Sequence, residues 1–309
     1  MEKLLSVGTT FSGIGAPEQA LKNLGIPHVV KWACDNDKRA REAYHLNHDC
    51  EMWYNDITTI NPTELEPVDL YIFGFPCQDV SVCGKQKLNG RTTLVEHSLN
   101  IIDEINPKFI LFENVKGLLN QKFATFYKSI VDRLSENYNM DIRVLNSKHF
   151  GTPQNRERVF GLGTRKDLWK VELPQQDKTS ITPLQTILEP SVGDEYTLTD
   201  HKWQTLQAHK ERHTINGNGL GYRFLTDRAF TLLTTYYPLP HQLLEQDGKN
   251  PRFLTERECA RLQGFPDSFK LHPVIRQAYK QLGNTMTLPV IEAILKPIGD
   301  YFTTDNGQS

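Results

Sequence analysis

The sequence predicts an α/β protein: a mostly parallel, doubly wound sheet with a smaller, mostly β segment set into the second half. Three observations carry this. Up to about Lys166, short apolar runs alternate with amphipathic segments, as strands alternate with crossover helices. The two strongest runs, Leu70–Phe73 and Phe109–Phe112, are continuous, as strands buried on both faces are. Beyond Lys166 the chain becomes rich in Thr, Gln, His, Asp and Pro with short β-like stretches, and helical order returns only near the end.

Taken in order, residues 4–10 read as a strand and 16–24 as a helix. Residues 29–33 give a second strand, and 38–47 a helix of mixed charge. Between the two buried strands, residues 94–104 have helical periodicity. Residues 124–137 are amphipathic, and 140–145 and 159–163 are strand-like. The run 229–237, Ala-Phe-Thr-Leu-Leu-Thr-Thr-Tyr-Tyr, has β composition. Residues 254–262 return to helix, with Thr255 and Glu258 spaced as a capping box. Residues 289–298 form a last helix with Pro289 in its first turn. The expected division is 1–180 with 284–309 as one domain and 181–283 as the other.

The chain has 309 residues, 38% hydrophobic and 23% charged, which suits a globular protein able to bury a large core. No apolar run approaches the roughly 18–20 residues of a membrane helix, and the start leads straight into a strand pattern, so the protein is expected to stay in the cytoplasm. Five cysteines form no CxxC pair, which predicts free thiols in a reducing compartment. No metal site is expected. His209 and His213 stand four apart, but without a third ligand they read as a solvated helix face. With a net charge of −2, any contact with nucleic acid must rest on a local basic face.

Phe11-Ser12-Gly13-Ile14-Gly15 lies between strand one and the following helix, where glycines allow a tight turn and close backbone approach to a ligand. Glu18 occupies the place of a third glycine, which disfavours a dinucleotide. A carboxylate at the end of strand two, Asp35, suits ribose hydroxyls. By itself the Gly-x-Gly turn is equally a plain strand–helix connection. Gly74-Phe75-Pro76-Cys77-Gln78 puts a thiol at the carboxyl end of a buried strand, the edge where ligands bind in open α/β sheets. Glu113 stands at another strand end, and Arg156 and Arg158 follow in Gln-Asn-Arg-Glu-Arg. A thiol, a carboxylate and paired arginines are the parts needed to attack and hold an electron-poor ring. Singly, each has a plainer reading: a buried structural Cys, a helix cap, a salt-bridge cluster.

These motifs, with Gln281-Leu282-Gly283-Asn284-Thr285, occur in an order that resembles the DNA (cytosine-5)-methyltransferases over nearly the whole chain. The resemblance implies a Rossmann-like doubly wound mixed sheet of the class I S-adenosylmethionine-dependent methyltransferases, with a smaller target-recognition domain. It implies S-adenosylmethionine as cofactor, held by Phe11, Ser12, Gly13, Gly15, Asp35, Asn36, Asp56, Ile57, Gly74, Pro76, Asn284 and Thr285. Asn36 departs from the large apolar or aromatic residue common beside adenine, and Asp56 has a plainer reading as a loop cap.

The resemblance further implies that Cys77 adds to carbon 6 of a flipped-out cytosine. Glu113 then serves ring nitrogen 3 and the amine, Arg158 serves oxygen 2, and Arg156 serves a phosphate or the Cys77 loop. The segment 81–91 has two glycines, three basic residues and no acid, and is expected to close over the base through Ser81, Lys85, Lys87 and Arg91. Recognition candidates on double-stranded DNA are Arg223, Arg228, Thr234, Tyr236 and Gln242, with core packing an equal reading for Tyr236. A monomer is expected, with a cognate restriction endonuclease as a functional partner. Two rivals remain: a tRNA cytosine-5 methyltransferase and a non-catalytic DNA-binding relative. Phe75 replaces the proline of the tRNA type's Pro-Pro-Cys-Gln, and no Cys-Phe-Thr tripeptide is present. Intact Cys77, Glu113 and Arg158 oppose a decayed enzyme.

Overall fold

The computed structural model describes residues 4–76, 94–215, 221–237 and 240–304. Cys77 and the segment 81–91 lie outside the described residues. In chain order the main elements are β1 (Leu5–Thr10), α1 (Ala16–Asn23), β2 (His28–Cys34), α2 (Lys38–Tyr44), β3 (Met52–Tyr54), β4 (Leu70–Phe73), α3 (Leu94–Ile105), β5 (Phe109–Val115) and α4 (Ala124–Asn137). There follow β6 (Tyr138–Asn146), β7 (Gln154–Asn155), β8 (Glu157–Arg165), α5 (Asp200–Ile215), β9 (Arg223–Phe224), β10 (Ala229–Phe230), β11 (Gln242–Leu243), α6 (Glu256–Leu262), α7 (Ile275–Asn284) and α8 (Leu288–Thr304).

The chain divides into two compact units. The first comprises Met1–Asn146, Glu157–Asp177 and Met286–Ser309. It holds a seven-stranded sheet in the order β3-β2-β1-β4-β5-β8-β6. The five strands from β3 to β5 are parallel; β8 runs antiparallel to both β5 and β6. Strand order reverses at β1, whose neighbours are β2 and β4. The crevice outside the carboxyl ends of β1 and β4 is therefore the topological switch point, where α/β sheets bind ligands.

Alternation along the strands assigns the two faces. Tyr71, Phe73, Ile110 and Phe112 join one core cluster with Val95, Leu99 and Ile102 of α3 and Ile130 and Leu134 of α4. Phe109 points the other way and meets Tyr301 and Phe302 of α8 at ring-centroid distances of 5.3 and 6.2 Å. All four residues of β4 are buried, as its unbroken apolar run implies. Burying each such large side chain contributes about 1.5–3 kcal/mol.

The second unit comprises Ser147–Arg156 and Lys178–Thr285. Residues 147–156 thus leave the first unit, where the sequence reading had put them, because β7 pairs with β10. Among its described residues, the unit is also less β than its composition suggested. Its ladders, β10 with β7 and β11 with β9, are two residues long, and its long elements are helices. The expected capping box is present on α6: Thr255 Oγ1 accepts from Glu258 N–H at 3.0 Å, and Glu258 Oε2 accepts from Thr255 N–H at 2.9 Å. Arg252 grips the buried Glu258 through two nitrogens, at 2.7 and 2.9 Å. Among the described residues, no helix is long and apolar enough to cross a membrane.

Candidate active site

The turn after β1 is held in an unusual shape. Phe11, Gly13 and Gly15 have φ of +55°, +57° and +82°. Only glycine takes such values freely, so Phe11 is strained. A Cβ at Gly15 would also overlap the His48 ring. The turn is fixed from below by a chain of donors. Cys34 N–H donates to Ser12 Oγ at 3.1 Å, Ser12 Oγ lies 2.7 Å from Thr9 Oγ1, and Thr9 donates to Glu18 Oε1 at 3.1 Å. From above, Asp35 Oδ2 accepts from Gly13 N–H and Oδ1 from Asp37 N–H, both at 2.8 Å. Among the described residues, a Cβ at Gly13 would find only Phe11 O, at 4.0 Å, so the turn is open on that side. An open glycine turn beside a carboxylate at the end of β2 is a cradle that fits an adenosyl cofactor.

The other expected cofactor residues fall in varied places. Asn36 is exposed at the β2–α2 turn. Asp56 Oδ1 accepts from Thr58 N–H and Oγ1, both at 2.9 Å, so it caps a short helical turn, the plainer of its two readings. Ile57 is core, 5% exposed. Asn284 ends α7 in the second unit, and Thr285 follows it.

Glu18, in place of the third glycine, is 1% exposed and also accepts from Tyr44 Oη at 3.1 Å. Burial holds its carboxyl above the ordinary value of 4.5. Below that value both folded and unfolded chains are protonated, so the group contributes no pH dependence. As pH rises above it, the unfolded chain ionises first, and stability falls until the folded-state pKa is passed. Glu18→Gln is therefore expected to raise the melting temperature relative to the parent by more at pH 8 than at pH 5. A parent that gains on the variant with rising pH would show an ionised Glu18.

The reaction side is built by three neighbouring strands. β4 and β5 pair in parallel with Phe73 opposite Phe112, which brings the Gly74-Phe75-Pro76 segment beside Glu113. Asn114 Nδ2 donates to Phe75 O at 3.1 Å and so pins the backbone that leads to Cys77. The point where a Gly74 Cβ would stand is 3.9 Å from Glu113 Oε2 and 3.3 Å from Met286 Cε. On β8, Arg158 is paired with Val115, diagonal to Glu113. Arg158 Nε lies 3.1 Å from Glu113 Oε1, with the two side chains 16% and 13% exposed. The carboxylate and guanidinium thus form one partly buried pair beside the segment that ends at Cys77. Asn114 and Met286 were not singled out in the sequence. Asn114 directly follows Glu113, which was, and a lone Met after Thr285 gives no signal.

Of the two partners expected for Arg156, the Cys77 loop lies outside the described residues, and a phosphate is disfavoured by burial. Arg156 is 3% exposed and donates to the carbonyls of Leu232, Gly283 and Thr285 at 3.1, 3.1 and 2.9 Å. A guanidinium so enclosed does not offer itself to a phosphate. Two recognition candidates are also buried. Tyr236 is 0% exposed, and its hydroxyl donates to Gln242 O and accepts from Leu254 N–H. Gln242, equally buried, accepts from Phe230 N–H and donates to Phe230 O. Arg223, Arg228 and Thr234 are exposed, and Arg223 lies over the Phe230 ring at 4.7 Å.

A switch-point glycine turn with a carboxylate at the end of β2, and a Glu–Arg pair beside Gly74-Phe75-Pro76, suit a methyltransferase. The family model of C-5 cytosine-specific DNA methylases matches residues 5–300. Type II methyltransferase M1.ScrFI of Lactococcus lactis subsp. cremoris is 37% identical over 92% of this chain and 75% of its own length. Type II methyltransferase M.NlaX of Neisseria lactamica is 35% identical over 92% and 93%. The Dnmt2 methyltransferase of S. pombe shares the fold, with a TM-score of 0.77 at 23% identity over 95% of this chain and 99% of that one. The chain belongs to the C-5 cytosine-specific DNA methylase family, as a DNA (cytosine-5)-methyltransferase of the restriction–modification type.

Proposed function

We propose that the protein methylates carbon 5 of cytosine within a specific double-stranded DNA sequence, with S-adenosylmethionine as donor and a covalent Cys77 adduct to a flipped-out base. The observation that carries this reading is the Glu113–Arg158 pair beside the segment leading to Cys77. When bound, S-adenosylmethionine supplies the electrophilic methyl group. Phe11, Gly13, Gly15 and Asp35 would hold it.

The chain's own residues activate the base. The Cys77 thiolate forms a bond to carbon 6, and the ring's electron pair moves toward carbon 5 and nitrogen 3. Glu113 donates a proton or hydrogen bond at nitrogen 3 and accepts from the exocyclic amine. Arg158 donates to oxygen 2 and stabilises the charge that develops there. Once carbon 5 is methylated, a base removes its proton, the carbon–sulfur bond breaks, and the thiolate is restored. A stacked base is beyond reach, so extrusion at a cost of a few kcal/mol is part of the cycle, with the segment 81–91 suited to closing over it. The enzyme acts as a monomer in the cytoplasm, on the nucleoid, alongside a restriction endonuclease.

Arg158→Ala is expected to lower kcat by about 10²–10³, the usual loss for one donor to a developing oxyanion. An unchanged kcat would remove Arg158 from the chemistry. The covalent step is tested with random-sequence duplex in which 5-fluorocytosine replaces cytosine. Fluorine cannot leave as a proton does, so the adduct should persist through denaturation and map to Cys77 by mass spectrometry. Product without a trapped adduct would rule out covalent catalysis.

A further inference from the structure

The run 229–237 has strand composition yet forms a ladder only at Ala229–Phe230. Beyond that, buried polar side chains take the part of a neighbouring strand. Gln242 Oε1 accepts from Phe230 N–H at 2.6 Å, and Gln154 Oε1 accepts from Leu232 N–H at 2.9 Å. Arg156 joins Leu232 O to Gly283 O and Thr285 O. At Gly283 the end of α7 touches the turn directly: a Cβ there would stand 2.5 Å from Thr234 N and 2.6 Å from Leu233 C. All of these groups belong to the second unit.

The gripped backbone carries an exposed tip. Gln154 and Gln242 are 0% exposed and Arg156 3%, whereas Leu233 is 38% exposed and Thr234 and Thr235 are exposed. Burying a guanidinium and two amides is a poor way to gain stability, since apolar groups of like volume fill a core at less cost. What such a network supplies is shape. A ladder would leave the run flat and in register, while side-chain acceptors and donors at fixed points hold it in an irregular turn.

We infer that Arg156 is a positioning residue: with Gln154 and Gln242 it fixes the exposed turn Leu233-Thr234-Thr235 as an element that reads the DNA sequence. Its effect is on target choice, carried through the carbonyls it holds, and Arg158 alone of the pair serves the cytosine. The inference rests on the DNA reading above.

The test compares the parent with Arg156→Lys, Arg156→Met, Leu233→Ala and Thr234→Ala on a random-sequence duplex library read by bisulfite sequencing. S-adenosylmethionine binding and urea midpoints are measured alongside. A lysine cannot reach three carbonyls at once. The expected result is that the Arg156 and tip variants relax preference at the same positions of the site, by at least about tenfold, with cofactor affinity unchanged. Should the Arg156 variants fail to fold, the exposed tip variants carry the test. The inference is overturned if the tip variants keep the parent's sequence context. It is equally overturned if Arg156→Lys keeps that context while kcat falls a hundredfold. A parent that methylates no cytosine in DNA would instead sink the reading beneath it.

Discussion

Cys77→Ser is expected to lose methyl transfer by at least about four orders of magnitude while binding S-adenosylmethionine as the parent does. The effect is large because of acidity. A thiol releases its proton within reach of neutral pH, and an alcohol does not, so only the cysteine presents an anion able to add to carbon 6. Removal of a nucleophile is also not made good by the surrounding groups, which act with it as a unit. The backbone as far as Phe75 is held by other groups, since Asn114 holds Phe75 O and β4 is fully buried. The substitution should therefore leave the fold and the glycine turn intact. Labelled-cofactor binding and single-turnover transfer measure the two quantities. Retained turnover would refute covalent attack.

Glu113→Gln is the second large effect, with kcat reduced by about 10²–10⁴ and DNA affinity changed only severalfold. The amide keeps an oxygen for Arg158 Nε, which lies 3.1 Å from the carboxylate in the parent. It also keeps the size and the strand position. What it loses is the proton that a carboxyl can give to ring nitrogen 3. Gel-shift titration against single-turnover rates separates the two. Equal losses in both would mean that Glu113 only braces the strand end.

Much of this arrangement is legible in the sequence because it follows from local rules. Leu70–Phe73 and Ala124–Asn137 have the bounds that their patterns give, since a continuous apolar run and an amphipathic period each have sharp ends. The resemblance assigns Glu113 and Arg158 to one site, and the register of β5 with β8 places them on diagonal positions. Where side chains lie otherwise than the sequence suggests, one cause recurs: polar residues whose partners are backbone groups of other segments. Arg156 and Gln242 read as contact residues in the sequence, and Tyr236 as a contact or a core residue; each is buried against such groups. Asp56 caps the turn that follows it through one carboxylate oxygen, the plainer of its two readings. The polar helix α5 carries only weak apolar periodicity, and β3 is three residues long, too short to register. By contrast α7 has a clear stripe at Ala278, Tyr279 and Leu282 that could have been read.

The fold places a glycine turn and the end of β4 at one switch point, and catalysis on DNA cytosine follows only if the turn and Cys77 serve the same reaction. The most direct measurement is incubation of the protein with labelled S-adenosylmethionine, mixed-sequence duplex DNA and tRNA, followed by single-base bisulfite sequencing. The account predicts label in the duplex and protected cytosines in one repeated sequence context. Label in the tRNA with none in the duplex, or in neither, would contradict it.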